Sequence, residues 1–467
     1  MIAADPSSFR DPSGRVYEVD GRIFRTIAER AAEDYRFLRR SGVLERLAAD
    51  GRIIAAQEVD PDVLGPAGRA AAHVLEHPRL PFVSYPYEWP FSALKAAALL
   101  HLDLQIELLA HDIALSDASA YNVQFVGPRP VFIDLLSLRR YREGELWPGH
   151  RQFCEQFLNP LLLRAALGIP HNAWYRGSLE GIPTQDLARL LPLRRKLSWR
   201  VMTYVVLQAR LHETANDPNG AAFDRAQRIS RRRALSRAGF LGILTQLRDW
   251  VAGLEPADTG RTVWADYART HGYGSEEEAA KRAFVAAFAA ATKPRLVWDL
   301  GCNTGEYAKV ALAAGAAQAI GFDSDQSALE RAFARAQAER LNLLPLFQDA
   351  ANPSPDQGWR QSERPGLQRR RTADALLALA VEHHLAIGRN LPLDQVVGWL
   401  VGLAPRGVVE FVQKDDPAIR RMLALREDVF DDYDERSFTE ALGRQARVVR
   451  EATVSATGRR LFWYDRG

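Results

Sequence analysis

One stretch decides the fold of this chain: Leu296-Val-Trp-Asp-Leu-Gly-Cys-Asn-Thr-Gly-Glu-Tyr-Ala308. An apolar run carries Asp299, passes through Gly301 and Gly305, and changes to a helix-forming sequence at Glu306. This order predicts a buried parallel strand, a tight turn and the N-terminus of a helix. The glycines let the backbone approach a ligand closely, and the free N–H groups of the new helix face that ligand.

Two further strands are predicted after this turn, and each is followed by an acid. Ala319–Phe322 ends in Asp323, about twenty residues after the turn, where an acid of a nucleotide-binding βαβ unit accepts hydrogen bonds from ribose hydroxyls. Leu343–Phe347 is followed by Asp349. Because a ligand of such a sheet lies at the carboxyl ends of the strands, we expect these acids to lie close together.

The turn lacks the full Gly-x-Gly-x-x-Gly spacing of a dinucleotide site. Its pattern Asp-x-Gly-x-x-x-Gly resembles motif I of the class I methyltransferases that use S-adenosylmethionine. The alternative is a plain Rossmann turn that binds NAD or no ligand. The resemblance implies a seven-stranded, Rossmann-like α/β domain with an antiparallel last strand, and S-adenosylmethionine as the cofactor. The cofactor-binding residues that it implies are Asp299, Gly301, Asn303, Thr304, Gly305, Asp323 and Asp349.

The remaining strands of this domain are predicted further along the chain. They lie at Thr372–Leu377, Val408–Val412, Ala446–Val454 and Arg460–Tyr464, the last two as a closing hairpin. Charged residues follow or interrupt the fifth strand, namely Glu410, Lys414, Asp415 and Asp416, and they either position a polar acceptor or are solvated loop charges. Between the third and fourth strands, an insertion at 352–371 carries Trp359 and several arginines, and we predict that it caps the acceptor pocket.

The candidate catalytic residues follow the fourth strand. Glu382, His383 and His384 stand near the place where a methyl donor would point. A histidine that titrates near neutral pH suits removal of a proton from a hydroxyl, so His383 or His384 is the predicted base. The alternative is that both histidines are structural. We predict no metal site, because neighbouring side chains on one helical turn diverge.

The N-terminal region is predicted as strands and helices in mixed order. Strands are expected at Val16–Val19, Arg22–Ile27, Arg52–Ala55, Leu80–Tyr85 and Pro130–Asp134, and helices at Ala28–Arg39 and Leu94–His111. From Trp147 to about Leu254 the sequence reads as helices.

Three polar residues in this region give a second resemblance. Asp117, Asn122 and Asp134 resemble the catalytic loop and metal-binding acid of the protein-kinase and aminoglycoside-phosphotransferase fold. The sequence departs from that family because no lysine falls on the third strand, where Arg25 would be an imperfect substitute, and because the glycine-rich loop is missing. We therefore predict a kinase-like accessory domain without phosphoryl transfer, which holds or recruits the acceptor. An active kinase and a chance match are the alternatives.

Length and composition indicate a soluble protein of two domains, at 1–254 and 255–467. The net charge of +3 gives no reason to expect nucleic acid as a partner, and the basic run Ile229–Arg237 is interpreted as a solvated helix face. No apolar segment resembles a signal peptide or a membrane span, so we expect a cytoplasmic protein without a membrane partner. The aromatics Trp264, Tyr267 and Tyr273 are predicted to form either a lid over the cofactor or ordinary packing.

The last two hundred residues, roughly, resemble a bacterial methyltransferase family related to the nodulation protein NoeA. The matching residues are Trp298–Gly305, Gly358–Trp359, Glu363–Arg364, His383–Ile387 and Glu410–Asp415. The function that this implies is S-adenosylmethionine-dependent methylation of an oxygen on a small molecule, sugar or secondary metabolite. A bifunctional kinase–methyltransferase, an RNA or protein methyltransferase, and a scaffold that holds the cofactor without transfer are the rivals.

Overall fold

The computed structural model describes residues 2–145, 147–210, 235–258, 275–424 and 426–467. We call residues 2–258 the N-terminal unit and residues 275–467 the C-terminal unit. The predicted lid aromatics Trp264, Tyr267 and Tyr273, and most of the basic run at 229–237, lie outside the described residues. No helix in the described ranges is long and apolar enough to span a bilayer.

The N-terminal unit consists of a small antiparallel sheet followed by helices and short hairpins. The sheet has the strand order β1-β2-β4-β3. The strands of the unit are β1 Val16–Val19, β2 Arg22–Ile27, β3 Gln57–Glu58, β4 His73–His77, β5 Ile113–Leu115, β6 Val123–Val126, β7 Arg129–Phe132 and β8 Leu138–Arg140. Its helices are α1 Glu29–Ser41, α2 Val43–Ala49, α3 Pro66–Arg69, α4 Phe91–Leu109, α5 His150–Phe153, α6 Asn159–Leu167, α7 Asn172–Gly177, α8 Thr184–Leu190, α9 Leu193–Lys196, α10 Trp199–Val201 and α11 Arg237–Ala252.

The first two predicted strands and the long helix of this unit are confirmed. The predicted strand at Leu80–Tyr85 is wrong, because the strand that pairs with β2 is β4, at His73–His77. The predicted strand at Arg52–Ala55 contributes only an isolated bridge from Ile53 to Phe132. Within this segment Phe82 is nevertheless buried, because its ring packs on Trp298 and Phe322 of the C-terminal unit.

The C-terminal unit is a seven-stranded sheet of order β11-β10-β9-β12-β13-β15-β14, in which β15 is antiparallel to β13. Its strands are β9 Leu296–Leu300, β10 Gln318–Asp323, β11 Leu343–Phe347, β12 Ala375–Ala378, β13 Arg406–Phe411, β14 Arg447–Thr453 and β15 Arg460–Asp465. Its helices are α12 Ser275–Thr292, α13 Glu306–Ala313, α14 Gln326–Ala338, α15 Glu382–Ala386, α16 Leu393–Gly402, α17 Pro417–Leu423 and α18 Glu435–Gln445. All seven predicted strands are present, and the fourth begins three residues later than predicted.

Each face of this sheet is covered differently. On one face Val297 and Leu377 pack with α12 and α13. On the other face Trp298 and Leu376 belong to an apolar core that includes α16 and α18 and continues into the N-terminal unit. The two units therefore share one core.

The connection from β11 to β12 contains no α-helix; residues 348–374 form only short 3-10 turns. A right-handed crossover there would place its helix on the same face as Trp298. Phe82 of the N-terminal unit occupies this face instead. Its ring centroid lies 5.7 Å from that of Trp298 and 6.0 Å from that of Phe322, edge to face in both pairs. The N-terminal unit thus substitutes for a missing crossover helix.

Polar contacts also join the two units. The Glu330 carboxylate on α14 accepts hydrogen bonds from the backbone N–H groups of Phe91 and Ser92, at 2.8 and 3.1 Å, and so caps the N-terminus of α4. Arg370, in the segment between β11 and β12, forms a buried ion pair with Glu88.

The insertion at 352–371, predicted to cap an acceptor pocket, lies against the N-terminal unit instead. The guanidinium of Arg364 stacks 4.3 Å over the ring of Tyr121, and the Arg10 guanidinium pairs with Glu363 at 2.5 Å. Trp359 of the insertion is 63% exposed. Two arginines of the insertion, Arg364 and Arg370, therefore bind the N-terminal unit.

Candidate active site

The turn after β9 has the backbone conformation that its glycines predict. Gly301 and Gly305 have φ angles of 72° and 77°, in the left-handed region, and Asn303 between them has a φ of 48°. A Cβ atom at Gly301 would lie 2.4 Å from Cγ2 of Val381, so no larger residue fits there. The turn is held from the next strand, because the N–H of Asn303 donates to Oδ2 of Asp323 at 2.8 Å.

Asp323 lies at the carboxyl end of β10, as predicted. Its second carboxylate oxygen accepts the N–H of Asp325 at 2.8 Å. Burial raises the pKa of Asp323, while the backbone donors Asp325 and Asn303 oppose that rise. A carboxylate offers about four lone-pair sites and two are used by the backbone, so acceptor capacity remains for a ligand.

Asp299 lies near the end of β9, as predicted, but it does not line the crevice. It is buried at 2% exposure behind the turn, and its Oδ2 accepts the N–H of Ala308 on α13 at 3.1 Å. Burial raises the pKa of Asp299 to about 7. Asp299 therefore joins the strand to the helix, and Gly305 likewise shapes the turn as the N-cap of α13 without lining the crevice.

A crevice of about 790 Å³ opens at the carboxyl ends of β9, β10, β11 and β12. This volume is in the range of small-molecule sites, roughly 300–1,000 Å³. The predicted residues that line it are Gly301, Asn303, Thr304, Asp323, Asp349 and His384. Asp349 is half-buried, and its carboxylate accepts the N–H of Ala351 and pairs with Arg389 at 3.2 Å.

The three candidate catalytic residues are brought together by α15, but only His384 lines the crevice. Glu382 is buried, and its Oε1 accepts hydrogen bonds from the N–H of Val412 at 2.8 Å and from the hydroxyl of Tyr433 at 3.0 Å. His383 is fully buried, with Nδ1 3.5 Å from Glu382. Burial, with smaller effects of His383 and Arg459, lowers the pKa of His384 to about 3. His384 is therefore uncharged at neutral pH.

Glu410, which the sequence analysis named as a residue that could position a polar acceptor, belongs to a buried ion pair at the same edge of the sheet, and its partner Lys281 was missed. Nζ of Lys281 on α12 donates to Oε1 of Glu410 on β13 at 2.7 Å, and both residues line the crevice. Oε2 of Glu410 is buried and has no hydrogen-bond partner among the described residues. Glu410 was noticed in the sequence because it is a single acid inside the apolar run of β13. No comparable signal marks Lys281, which is 129 positions away in the sequence.

The other charged residues after β13 do not reach the crevice. Asp416 is buried against Arg459, with the nearest oxygen 2.7 Å from Nε. Lys414 pairs with Asp428 at 2.8 Å, and Asp415 is exposed at the surface. Over the described ranges, no group of three or more His, Cys, Asp or Glu side chains is arranged to hold a metal ion.

The structure brings together the three polar residues of the N-terminal resemblance. Nδ2 of Asn122 lies 2.8 Å from Oδ1 of Asp117 and 3.4 Å from Oδ2 of Asp134. Arg25 pairs with Asp134 at 2.8 Å and with Asp11 at 2.6 Å. Burial, and then the charge of Asp134, raise the pKa of Asp117 to about 6. The cluster thus includes a guanidinium that neutralises Asp134.

The sheet order, the glycine turn after its first strand and the acid after its second define a class I methyltransferase, the class that uses S-adenosylmethionine. No protein-family model matches the chain. Nodulation protein NoeA of Rhizobium meliloti (strain 1021) is 46% identical over 473 residues, which cover 100% of this chain and 98% of that protein. The chain belongs to the NoeA family.

Among the solved structures that resemble part of the chain are two methyltransferases. Magnesium protoporphyrin IX methyltransferase (ChlM) from Synechocystis PCC 6803, with bound SAM, is 20% identical with a TM-score of 0.30, covering 44% of this chain and 86% of that one. The bifunctional kinase-methyltransferase WbdD is 17% identical with a TM-score of 0.29, covering 44% of this chain and 42% of that one. These overall similarities are low, and the class is assigned from the strand order and the crevice.

Proposed function

We propose that the protein transfers a methyl group from S-adenosylmethionine to a hydroxyl of a small molecule, such as a sugar or secondary metabolite. One observation carries this proposal: a single crevice is lined by Asp323, a carboxylate at the end of β10, and by two proton acceptors, His384 and Glu410. In the sheet, β9 lies between β10, which ends in Asp323, and β12, which precedes His384. The crevice spans the carboxyl ends of all three strands, so one crevice can serve cofactor and acceptor.

The residues of the crevice fit the cofactor. The free lone pairs of Asp323 suit the ribose hydroxyls, and Gly301 presents backbone without a side chain to the crevice. Asp349, after β11, has the position from which an acid would accept the adenine amino group. When bound, S-adenosylmethionine supplies an electrophilic methyl group on a cationic sulfur. The protein has to align the acceptor with that methyl group and remove the acceptor's proton.

His384 is the proposed base, because it lines the crevice whereas His383 is buried beside it. With a pKa of about 3 the imidazole is neutral at physiological pH, so it can accept a proton without first losing one. It is also a weak base, so we expect the hydroxyl proton to leave late, once methyl transfer is advanced.

Glu410 is the proposed anchor for the acceptor. Its Oε1 is held by Lys281, and its unpartnered Oε2 needs a hydrogen-bond donor, which a hydroxyl supplies. Glu278 and Glu306 also line the crevice, and both pair with Arg282.

The kinase-like cluster of the N-terminal unit is a second candidate site. The approach of Asn122 to Asp117 and Asp134 favours it. The ion pair of Arg25 with Asp134 disfavours it, because a guanidinium takes up the charge that a magnesium ion would neutralise. We propose that the N-terminal unit is a non-catalytic accessory unit that supports the sheet, as its contact through Phe82 indicates.

Calorimetry with S-adenosylhomocysteine tests the cofactor site. Asp323→Ala removes hydrogen bonds to a charged group worth about 1.5–3 kcal/mol each, so we expect at least a hundredfold loss of affinity. Asp374→Ala is the matched control, because this carboxylate lies at the opposite end of the sheet, where it accepts N–H groups from Arg295 and Leu296. Unchanged affinity in Asp323→Ala would remove the ribose contact from the proposal.

A turnover assay tests the base. With a small-molecule extract as the acceptor source, release of S-adenosylhomocysteine by His384→Ala is expected to fall roughly 10²- to 10⁴-fold. Its affinity for S-adenosylhomocysteine should remain. Equal turnover by wild type and His384→Ala would exclude His384 as the base.

A further inference from the structure

The most exposed large apolar side chains of the described chain are clustered in one segment. Leu193, Leu197 and Trp199 are 80%, 79% and 70% exposed, and Met202 is 37% exposed. Burying three such side chains in the protein would be favourable by roughly 1.5–3 kcal/mol each, so leaving them in water is costly. Exposure of this extent shows that the side chains stand out from the surface and do not line a groove.

Basic residues alternate with these apolar ones. Arg194, Arg195, Lys196 and Arg200 carry four positive charges, more than the net charge of +3 of the whole chain, and no acid lies between 193 and 202. Among the residues that the structure describes, no carboxylate pairs with any of these four, whereas the nearby Arg189 pairs with Asp186. We call these eight residues, at 193–197, 199, 200 and 202, the 193–202 patch.

The backbone of the 193–202 patch is held in place by hydrogen bonds and by buried neighbouring residues. The N–H of Leu197 donates to the carbonyl of Leu193 at 3.2 Å, so one helical turn places both leucines on the same side. Val201 and Tyr204, which follow, are buried, and the hydroxyl of Tyr204 donates to Gln246 of α11 at 3.0 Å. The exposed side chains are therefore held at the surface by buried neighbours.

We infer that the 193–202 patch binds the surface of an anionic lipid bilayer. Leucine and tryptophan side chains between arginines and lysines are the pattern of an interfacial membrane contact, in which the apolar groups enter the acyl boundary and the bases meet the headgroups. Four positive charges without an acid between 193 and 202 favour an anionic bilayer over a protein partner, and nucleic acid gains nothing from exposed leucines. The sequence predicted no membrane partner because it has no spanning segment, and a peripheral contact needs none.

Co-sedimentation of the full chain with vesicles tests this inference. We expect binding to vesicles of phosphatidylcholine with roughly one-third phosphatidylglycerol, and little binding to phosphatidylcholine alone. Each basic residue at an anionic surface contributes about fivefold in affinity, so R194E/R195E/K196E should bind at least about a hundredfold more weakly. L193A/L197A/W199A should still bind at low salt but be released in about 0.5 M salt, because only its charges remain.

The control variant R36E/R39E/R40E makes the same change of charge on helix α1 and should bind like wild type. Thermal melting of every variant checks that it is folded. Failure of the wild type to bind anionic vesicles would overturn the inference, and so would equal binding by the wild type and both patch variants. Weakened binding by the control to the same extent as the patch variant would also overturn it, because net charge alone would then explain binding. Retention on single-stranded RNA without vesicle binding would point to nucleic acid.

Discussion

Replacing Phe82 with alanine tests whether the two units form one cooperative structure. The Phe82 side chain is 3% exposed and packs edge to face on Trp298 and Phe322, with the guanidinium of Arg370 5.0 Å from the ring centroid. A Phe→Ala change in a core costs about 3–5 kcal/mol. Since Phe82 contacts two aromatic rings of the sheet, we expect Phe82→Ala to lower the free energy of unfolding by about 4 kcal/mol.

Thermal and urea unfolding, followed by far-UV circular dichroism, measure this loss. Unfolding entropy scales with length at about 2.1 cal/mol/K per residue, so for this chain a loss of 4 kcal/mol corresponds to roughly 4 °C in Tm. Val83→Ala is the matched control, because its side chain is 40% exposed and its backbone carbonyl, which accepts from Arg370, is unchanged. We expect that control to lose less than about 0.5 kcal/mol. A loss in Phe82→Ala no larger than in the control would refute the shared core.

Two further predictions concern titration and nucleotide binding. Burial lowers the pKa of His101 to about 3, so its neutral form stabilises the fold above the unfolded pKa of about 6.5, and this stability is lost as pH falls from there toward 3. His101→Leu should therefore reduce the stability difference between pH 8 and pH 5 by about 2 kcal/mol in urea titrations, and an unchanged difference would count against the buried neutral imidazole. Because Arg25 neutralises Asp134, we expect millimolar ATP with magnesium to raise Tm by less than about 1 °C; a larger rise that disappears in Asp134→Ala would instead support phosphoryl transfer.

The sheet of the C-terminal unit could be predicted because its physical signal is local. Buried parallel strands are short apolar runs in the sequence. The strands at Leu296–Leu300 and Leu343–Phe347 begin and end at, or close to, the residues that the sequence indicates. The segment 80–85 has a similar pattern but is not a strand. An apolar side chain such as that of Phe82 has the same sequence signature whether its backbone pairs with a strand or only its ring packs on another unit.

The parts of the site that the backbone conformation determines could be predicted from the sequence. The parts that depend on where each side chain lies could be predicted less well. Asp299 and Asp323 are both acids near strand ends, yet one is buried behind the turn and the other lines the crevice. Position along the strand decides this, because Asp299 is in register with Gly321, two residues before Asp323, and Asp323 is the last residue of its strand. Lys281 could not be predicted, because its partner Glu410 is brought to it only by the fold.

Because the connection between β11 and β12 contains no helix, the two units have to be produced together. If the gene were divided between the codons for residues 258 and 275, the C-terminal unit would expose Trp298 and Phe322 to solvent. The N-terminal unit would expose Phe82. Each would carry an aromatic surface prone to precipitation unless both were made in the same cell. Neither unit could then be inherited, duplicated or exchanged without the other. A screen for the methyl acceptor therefore needs the whole chain.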